Sequence, residues 1–143
     1  MGKYLQVEWG KNMVFRDSLQ FLPASLEQFA ASLAKVGRGY LQNFHDVITD
    51  VYLFAHVELL ERKGVFCYDY LYTIALLDEP AVPPQEAFFN KLGGVECSPA
   101  NYAHAQHVWE NFLCQNLKEY MGLYLLSNIC LLADNSRRFE TNL

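Results

Sequence analysis

Apolar positions recur along the chain with two periods. From Tyr4 to Trp9 they alternate, with Leu5, Val7 and Trp9 set against Gln6 and Glu8. That is the period of a half-buried strand. Gly10-Lys-Asn12 reads as a turn and Met13 to Asp17 as a second strand, so a hairpin is expected to open the chain. Pro23 closes the extended run and disfavours helix at Leu22. Ser25-Leu-Glu-Gln28 has capping-box spacing, and Leu26, Phe29, Ala30 and Leu33 follow at helical intervals up to Gly37. Between Tyr40 and Leu60 helical spacing is mixed with β-branched and aromatic residues; a helix is expected from about Thr49 to Arg62. Val65 to Tyr70 reads as extended or looped, and Asp78 to Pro84 as a proline-rich connection. A short helix over Gln85 to Leu92 should end at Gly93-Gly94. Ser98-Pro99 is an N-cap followed by proline at the first helical position, and Tyr102, Ala105, Trp109 and Phe112 then line one face.

The last helix, with Asn116 as its cap, holds the most informative stretch. Leu117, Tyr120, Met121, Tyr124, Leu125, Asn128, Leu131 and Leu132 fall on one stripe at 3- and 4-residue spacing. Asn128 is its only polar member. A polar side chain there needs a partner or a task. A satisfied core amide is the plain reading, and Tyr124, one turn earlier, offers a second polar tip.

Composition narrows the class. The 143 residues suit one domain or part of one, and 52% apolar with 15% aromatic content indicates a packed core rather than disorder. The net charge of −5, with charges of both signs scattered, gives no basic stripe of the kind an autonomous nucleic-acid binder carries. No apolar run approaches the ~18 residues of a membrane span, so no membrane partner is expected. The N-terminal residues lack the apolar core of a signal peptide, and Gln6 stands where a myristoylation signal has Ser or Thr. Cys67, Cys97, Cys114 and Cys130 are widely spaced, which fits free thiols in a reducing, intracellular compartment.

Isolated chemical signals are weak. His104 and His107 lie three apart but lack a His-Glu-x-x-His context, and a solvated helix face accounts for both. Asp17-Ser18 reads as a turn rather than a nucleophile. Lys63-Gly64 reads as a helix end with a cation that complements the dipole.

Taken in order, the segments are more specific. Phe15-Arg-Asp-Ser-Leu-Gln-Phe-Leu-Pro-Ala-Ser-Leu-Glu-Gln28, Arg62-Lys-Gly-Val-Phe-Cys-Tyr68, Tyr102-Ala-His-Ala-Gln-His-Val-Trp-Glu110 and Tyr124-Leu-Leu-Ser-Asn-Ile-Cys-Leu-Leu-Ala-Asp134 run in one direction with sensible gaps. From about Met13 to Phe139 this resembles the organellar and viral, protein-primed type of family B DNA polymerase. The match lies in the later part of the 3'–5' exonuclease domain and is weakest between Gly39 and His56. The Tyr-x-x-x-acid pattern of the third exonuclease motif stands here as Tyr124-Leu-Leu-Ser-Asn128, with an amide in place of the acid. Where related chains commonly have proline, this one has Cys67.

The resemblance implies an α/β fold, a partial RNase H-like exonuclease domain in which a short β-hairpin precedes several helices. It implies that Ser18, Leu19 and Tyr68 contact a single-stranded DNA end, that Lys63 is a catalytic lysine, that Tyr124 orients the attacking water, and that Asn128 occupies a metal-binding aspartate position. The intact family domain implies Mg2+. This chain is expected to hold no metal, because the first two carboxylate motifs would precede Asp17 and the polymerase palm would follow Leu143. It therefore reads as a fragment of a DNA-directed DNA polymerase, inactive alone, whose partners are single-stranded DNA, bound weakly, and the remainder of the polymerase. The alternative is a non-catalytic, mostly helical protein-interaction module derived from such a polymerase.

Overall fold

The computed structural model describes residues 6–9, 13–16, 25–36, 42–52 and 56–141. Two four-residue strands, β1 (Gln6–Trp9) and β2 (Met13–Arg16), pair antiparallel with Val7 opposite Phe15. Four α-helices follow: α1 (Leu26–Val36), α2 (Gln42–Tyr52), α3 (Pro99–Asn111) and α4 (Leu117–Thr141). Four 3-10 turns, Val57–Leu60, Tyr68–Tyr70, Ile74–Asp78 and Gln85–Phe88, fill the span between α2 and α3.

The α/β expectation is overturned. The chain is mostly helical, and among the described residues no further strand joins the eight residues of β1 and β2. Helices here bury their faces against one another. The 25-residue α4 is the common support: α2, α1 and the Ile74–Asp78 turn all pack on it. The hydrophobic alternation of the opening segment is too short to supply a layer for four helices to cover.

Among the described residues the core includes Phe44 and Ile48 from α2, Leu60, Phe66, Cys67 and Phe88 from the connecting turns, Ala105 and Val108 from α3, and Leu117, Tyr120, Leu123, Tyr124 and Leu131 from α4. Tyr102, Trp109 and Phe112 pack partly buried against it. α2 begins seven residues before the expected helix at Thr49, and its described part runs to Tyr52. His56 follows at φ 61°, the left-handed region, where no helix of L-residues continues. The segment expected to be helical from Gln85 to Leu92 makes only a 3-10 turn, ended by an Asn90–Val95 bridge that closes a tight loop.

Three caps form as the sequence pattern indicates. Ser25 and Gln28 exchange hydrogen bonds at 3.1 and 3.3 Å, the reciprocal arrangement of a capping box. Ser98 Oγ accepts from the Asn101 N–H at 3.2 Å, with Pro99 opening α3. Asn116 Oδ1 accepts from the Glu119 N–H at 3.0 Å. Gly37, expected to close α1, lies outside the described residues.

One long-range tie was not legible. The Asp134 carboxylate, in the C-terminal half of α4, accepts the Phe44 N–H at 2.9 Å. Phe44 is in the first turn of α2, where backbone donors lack intrahelical acceptors. A buried carboxylate from another helix thus serves as an N-terminal acceptor and complements the positive end of the α2 dipole.

Candidate functional site

Val65, Phe66, Cys67 and Tyr68 run across the side of α4, and aromatic packing fixes them there. The Phe66 ring stacks on Tyr124 at a centroid distance of 5.4 Å and on Tyr120 at 6.1 Å. Tyr120 donates its hydroxyl to the Val65 carbonyl at 2.7 Å. Burial pushes the Tyr120 phenol up from its ordinary value, so it remains a protonated donor. Three α4-facing contacts therefore hold the irregular stretch from Val65 to Cys67 that leads into the Tyr68–Tyr70 turn.

At the edge of this cluster Tyr68 meets Tyr124. The Tyr68 hydroxyl donates to the Tyr124 hydroxyl at 3.0 Å, and the rings sit edge-on at 5.9 Å. Tyr124 is 7% exposed and Tyr68 is 61% exposed. The pair therefore carries a polar contact from the core out to a solvent-facing ring. Partial burial, then the bond to Tyr124, push the Tyr68 phenol up from its ordinary value.

Gly64 places its backbone against the Tyr124 ring: a Cβ there would sit 3.5 Å from Tyr124 Cδ2, an ordinary contact. Lys63, one residue earlier, is exposed. Arg62 is drawn the other way, its guanidinium donating to Asn101 Oδ1 at 2.7 Å and anchoring the start of α3. Lys63 follows the Val57–Leu60 turn rather than a helix, so a role as helix-ending cation does not apply to it.

Asn128 lies on the edge of the buried face of α4. Its Oδ1 is fully buried and has no hydrogen-bond partner. The plain reading of a satisfied core amide fails for that atom. The face itself is rotated from the expected stripe: Leu123, Ser127, Cys130 and Asp134 are buried while Leu125 is 43% exposed. Apolar residues on nearly all sides of α4 made the sequence pattern ambiguous about which side is inward.

His104 also departs from its expected solvated position. Its Nε2 lies 2.8 Å from the Leu59 carbonyl. A carbonyl only accepts, so Nε2 carries a proton. Burial, reinforced by Arg62, holds its pKa below the ordinary histidine value. Leu59, Arg62, Gly64, His104, Tyr124 and Ser127 are among the residues that line a cavity of about 10 Å³ behind the tyrosine pair, room for roughly one water. His107 is exposed.

No family model matches the chain, and no curated protein or solved structure matches it.

Of the six residues singled out in the sequence, four fall on described parts of the chain. Tyr68 and Tyr124 touch, Lys63 adjoins the residue packed on Tyr124, and Asn128 lies one turn along α4 from Tyr124. Ser18 and Leu19 lie outside the described residues.

The donor set does not fit a pair of magnesium ions. Such a pair requires carboxylates that neutralise two dications ~3.5–4 Å apart. Position 128 supplies only a neutral amide oxygen. Among the described residues no three His, Cys, Asp or Glu side chains converge where an ion could sit. A larger groove of about 520 Å³, lined by Gln85, Glu86, Phe89, Glu96 and Cys97, includes none of the residues singled out.

The four thiols are unpaired. Burial pushes Cys67 and Cys114 up to about 11, well above neutral pH, so neither is a ready nucleophile. Among the described residues, no helix is long and apolar enough to cross a membrane.

Proposed function

We propose that this chain derives from the editing region of a family B DNA polymerase and retains one wall of a single-strand contact site without the means to cut. The carrying observation is the Tyr68–Tyr124 hydrogen bond. It joins tyrosines from two separate segments that resemble the family, with Lys63-Gly64 beside them. An exposed tyrosine ring offers a stacking surface for an unpaired base, and an adjacent lysine a cation for its phosphate. The amide at position 128 removes a carboxylate from the same neighbourhood.

The net charge of −5 opposes strand binding, because neutralised phosphates dominate such affinity. Binding is therefore weak and salt-sensitive. The test is fluorescence anisotropy of a labelled single-stranded oligonucleotide against the chain and its Lys63→Ala and Tyr68→Ala variants. The reading requires measurable binding at low salt that both variants weaken. No binding, or binding indifferent to both substitutions, would count against it.

A second reading, a non-catalytic helical interaction module of the same descent, draws on the exposed apolar side chains Tyr72, Ile74 and Leu92. The coding sequence flanking this stretch separates the two. Carboxylate motifs before it and palm motifs after it favour the polymerase reading; their absence around an expressed transcript favours the module.

A further inference from the structure

Three parts of the chain converge on the cavity of about 10 Å³ behind the Tyr68–Tyr124 pair. Arg62 and Gly64 supply one wall, α3 a second through His104, and α4 the third through Tyr124 and Ser127. The volume suits one water and nothing larger.

The polar side chains around it have hydrogen-bonding capacity left over. His104 Nε2 is committed to the Leu59 carbonyl at 2.8 Å, while its Nδ1 is fully buried and has no partner. A buried ring nitrogen without a partner is destabilising in either protonation state. Burial lowers the His104 pKa, so near neutral pH Nδ1 is an acceptor. Ser127, 2% exposed, donates its hydroxyl to the Tyr124 carbonyl at 3.2 Å and keeps the lone pairs of Oγ. The Tyr124 hydroxyl accepts from Tyr68 at 3.0 Å and keeps its own proton to give.

A single water meets all of these demands. It can donate to His104 Nδ1 and to Ser127 Oγ while accepting from Tyr124; about three bonds is usual for a buried water. A metal ion does not suit the same space. No carboxylate lines the cavity, and the cation of Arg62 already stands at its wall.

We propose that this cavity is a binding site for one ordered water, which joins His104 of α3 to Tyr124 and Ser127 of α4. The hydrogen-bonded run that starts at the solvent-facing Tyr68 hydroxyl then continues inward through Tyr124 and the water to His104. The proposal stands on the cavity and its side chains, whether or not the polymerase reading holds.

Magnetic relaxation dispersion of the water oxygen nucleus tests it in the full chain, since the signal comes from waters held longer than the protein takes to tumble. Gly64→Ala is the informative variant. Gly64 lines the cavity, and an added Cβ would make an ordinary 3.5 Å contact with Tyr124 Cδ2, so alanine takes up the space without strain. Gly122→Ala is the control, because a Cβ there meets nothing within 4 Å on the exposed side of α4. The unaltered chain and Gly122→Ala should show the same dispersion amplitude, and Gly64→Ala should lose the amplitude of about one water oxygen. A second measurement needs no variant. In a long-range proton–nitrogen correlation spectrum above about pH 7, where an uncharged histidine dominates, His104 Nδ1 should resonate upfield of a bare imine nitrogen, as a hydrogen-bond acceptor does. No dispersion from the unaltered chain, an amplitude that Gly64→Ala leaves unchanged, or a His104 Nδ1 at the bare position would overturn the proposal.

Discussion

The hydroxyl of Tyr68 donates to the hydroxyl of Tyr124 across 56 residues of sequence, at 3.0 Å. One ring is in the core and the other faces solvent. The contact links the packing that stabilises the molecule to the surface proposed to receive a strand. Changes at the two ends should therefore have different signatures. Tyr124→Ala removes a ring stacked on Phe66 and should cost roughly 3 kcal/mol, in line with large-to-small aromatic changes in cores. Tyr68→Ala should cost about 1 kcal/mol or less, as it loses one hydrogen bond at an exposed position. Urea unfolding of both variants checks the ordering; equal losses would contradict it.

Asp134 provides an independent test of the helix assembly. Replacement by Ala leaves the buried Phe44 N–H without its side-chain acceptor and should destabilise by about 1–3 kcal/mol. Asp134→Asn keeps an acceptor oxygen and should cost less. A midpoint for Asp134→Ala no lower than that of Asp134→Asn would show that the α2–α4 tie carries no weight.

Alkaline pH should loosen the fold. Cys67 and Cys114 have folded-state values pushed to about 11 from 9.0 by burial. Each folded value lies above the unfolded one, so the folded state holds the proton more tightly. The corresponding stability is fully present below pH 9 and is lost as pH rises through 11. Unfolding free energy should decline over that window, and Cys67→Ala should show a shallower decline than the unaltered chain, whatever its starting stability. A flat profile from pH 9 to 11 in the unaltered chain would contradict this.

Asn128→Asp addresses the amide at the position proposed to have lost an acid. The variant places a carboxylate where an oxygen is buried without a partner. Its pKa should rise through desolvation. The variant should therefore be nearly as stable as the unaltered chain in acid and progressively less stable as pH rises to neutrality. One carboxylate cannot hold a two-metal site, so magnesium or manganese should neither raise its melting temperature nor produce nucleotide release from a labelled single strand. Metal-dependent release by this variant or by the unaltered chain would overturn the reading of a non-cutting site.

Local signals were the legible ones. Ser25, Ser98 and Asn116 act as caps because capping is decided within four residues. Leu117, Tyr120, Tyr124 and Leu131 were correctly placed inward because helical spacing is also local. The α/β expectation failed because it drew on the family resemblance and on a strand-like opening, whereas the helices bury their faces against each other through α4. Leu125 was assigned to the core and is exposed, since a helix apolar nearly all round does not specify its inward side. The Asp134–Phe44 tie joins residues 90 apart, and no pattern along the chain announces such a partner. The resemblance gave Tyr68 and Tyr124 separate roles and no mutual contact, and spacing along the chain announces none between residues 56 apart.

The central claim is that Tyr68 lies on a surface that receives a single strand. Photo-crosslinking of a single-stranded oligonucleotide containing bromodeoxyuridine, followed by peptide mapping, measures this directly. The account predicts that at low salt the dominant adduct falls on Tyr68, persists in Tyr68→Phe, and disappears in Tyr68→Ala. Adducts confined to residues outside the 62–68 segment, with none on Tyr68, would contradict it.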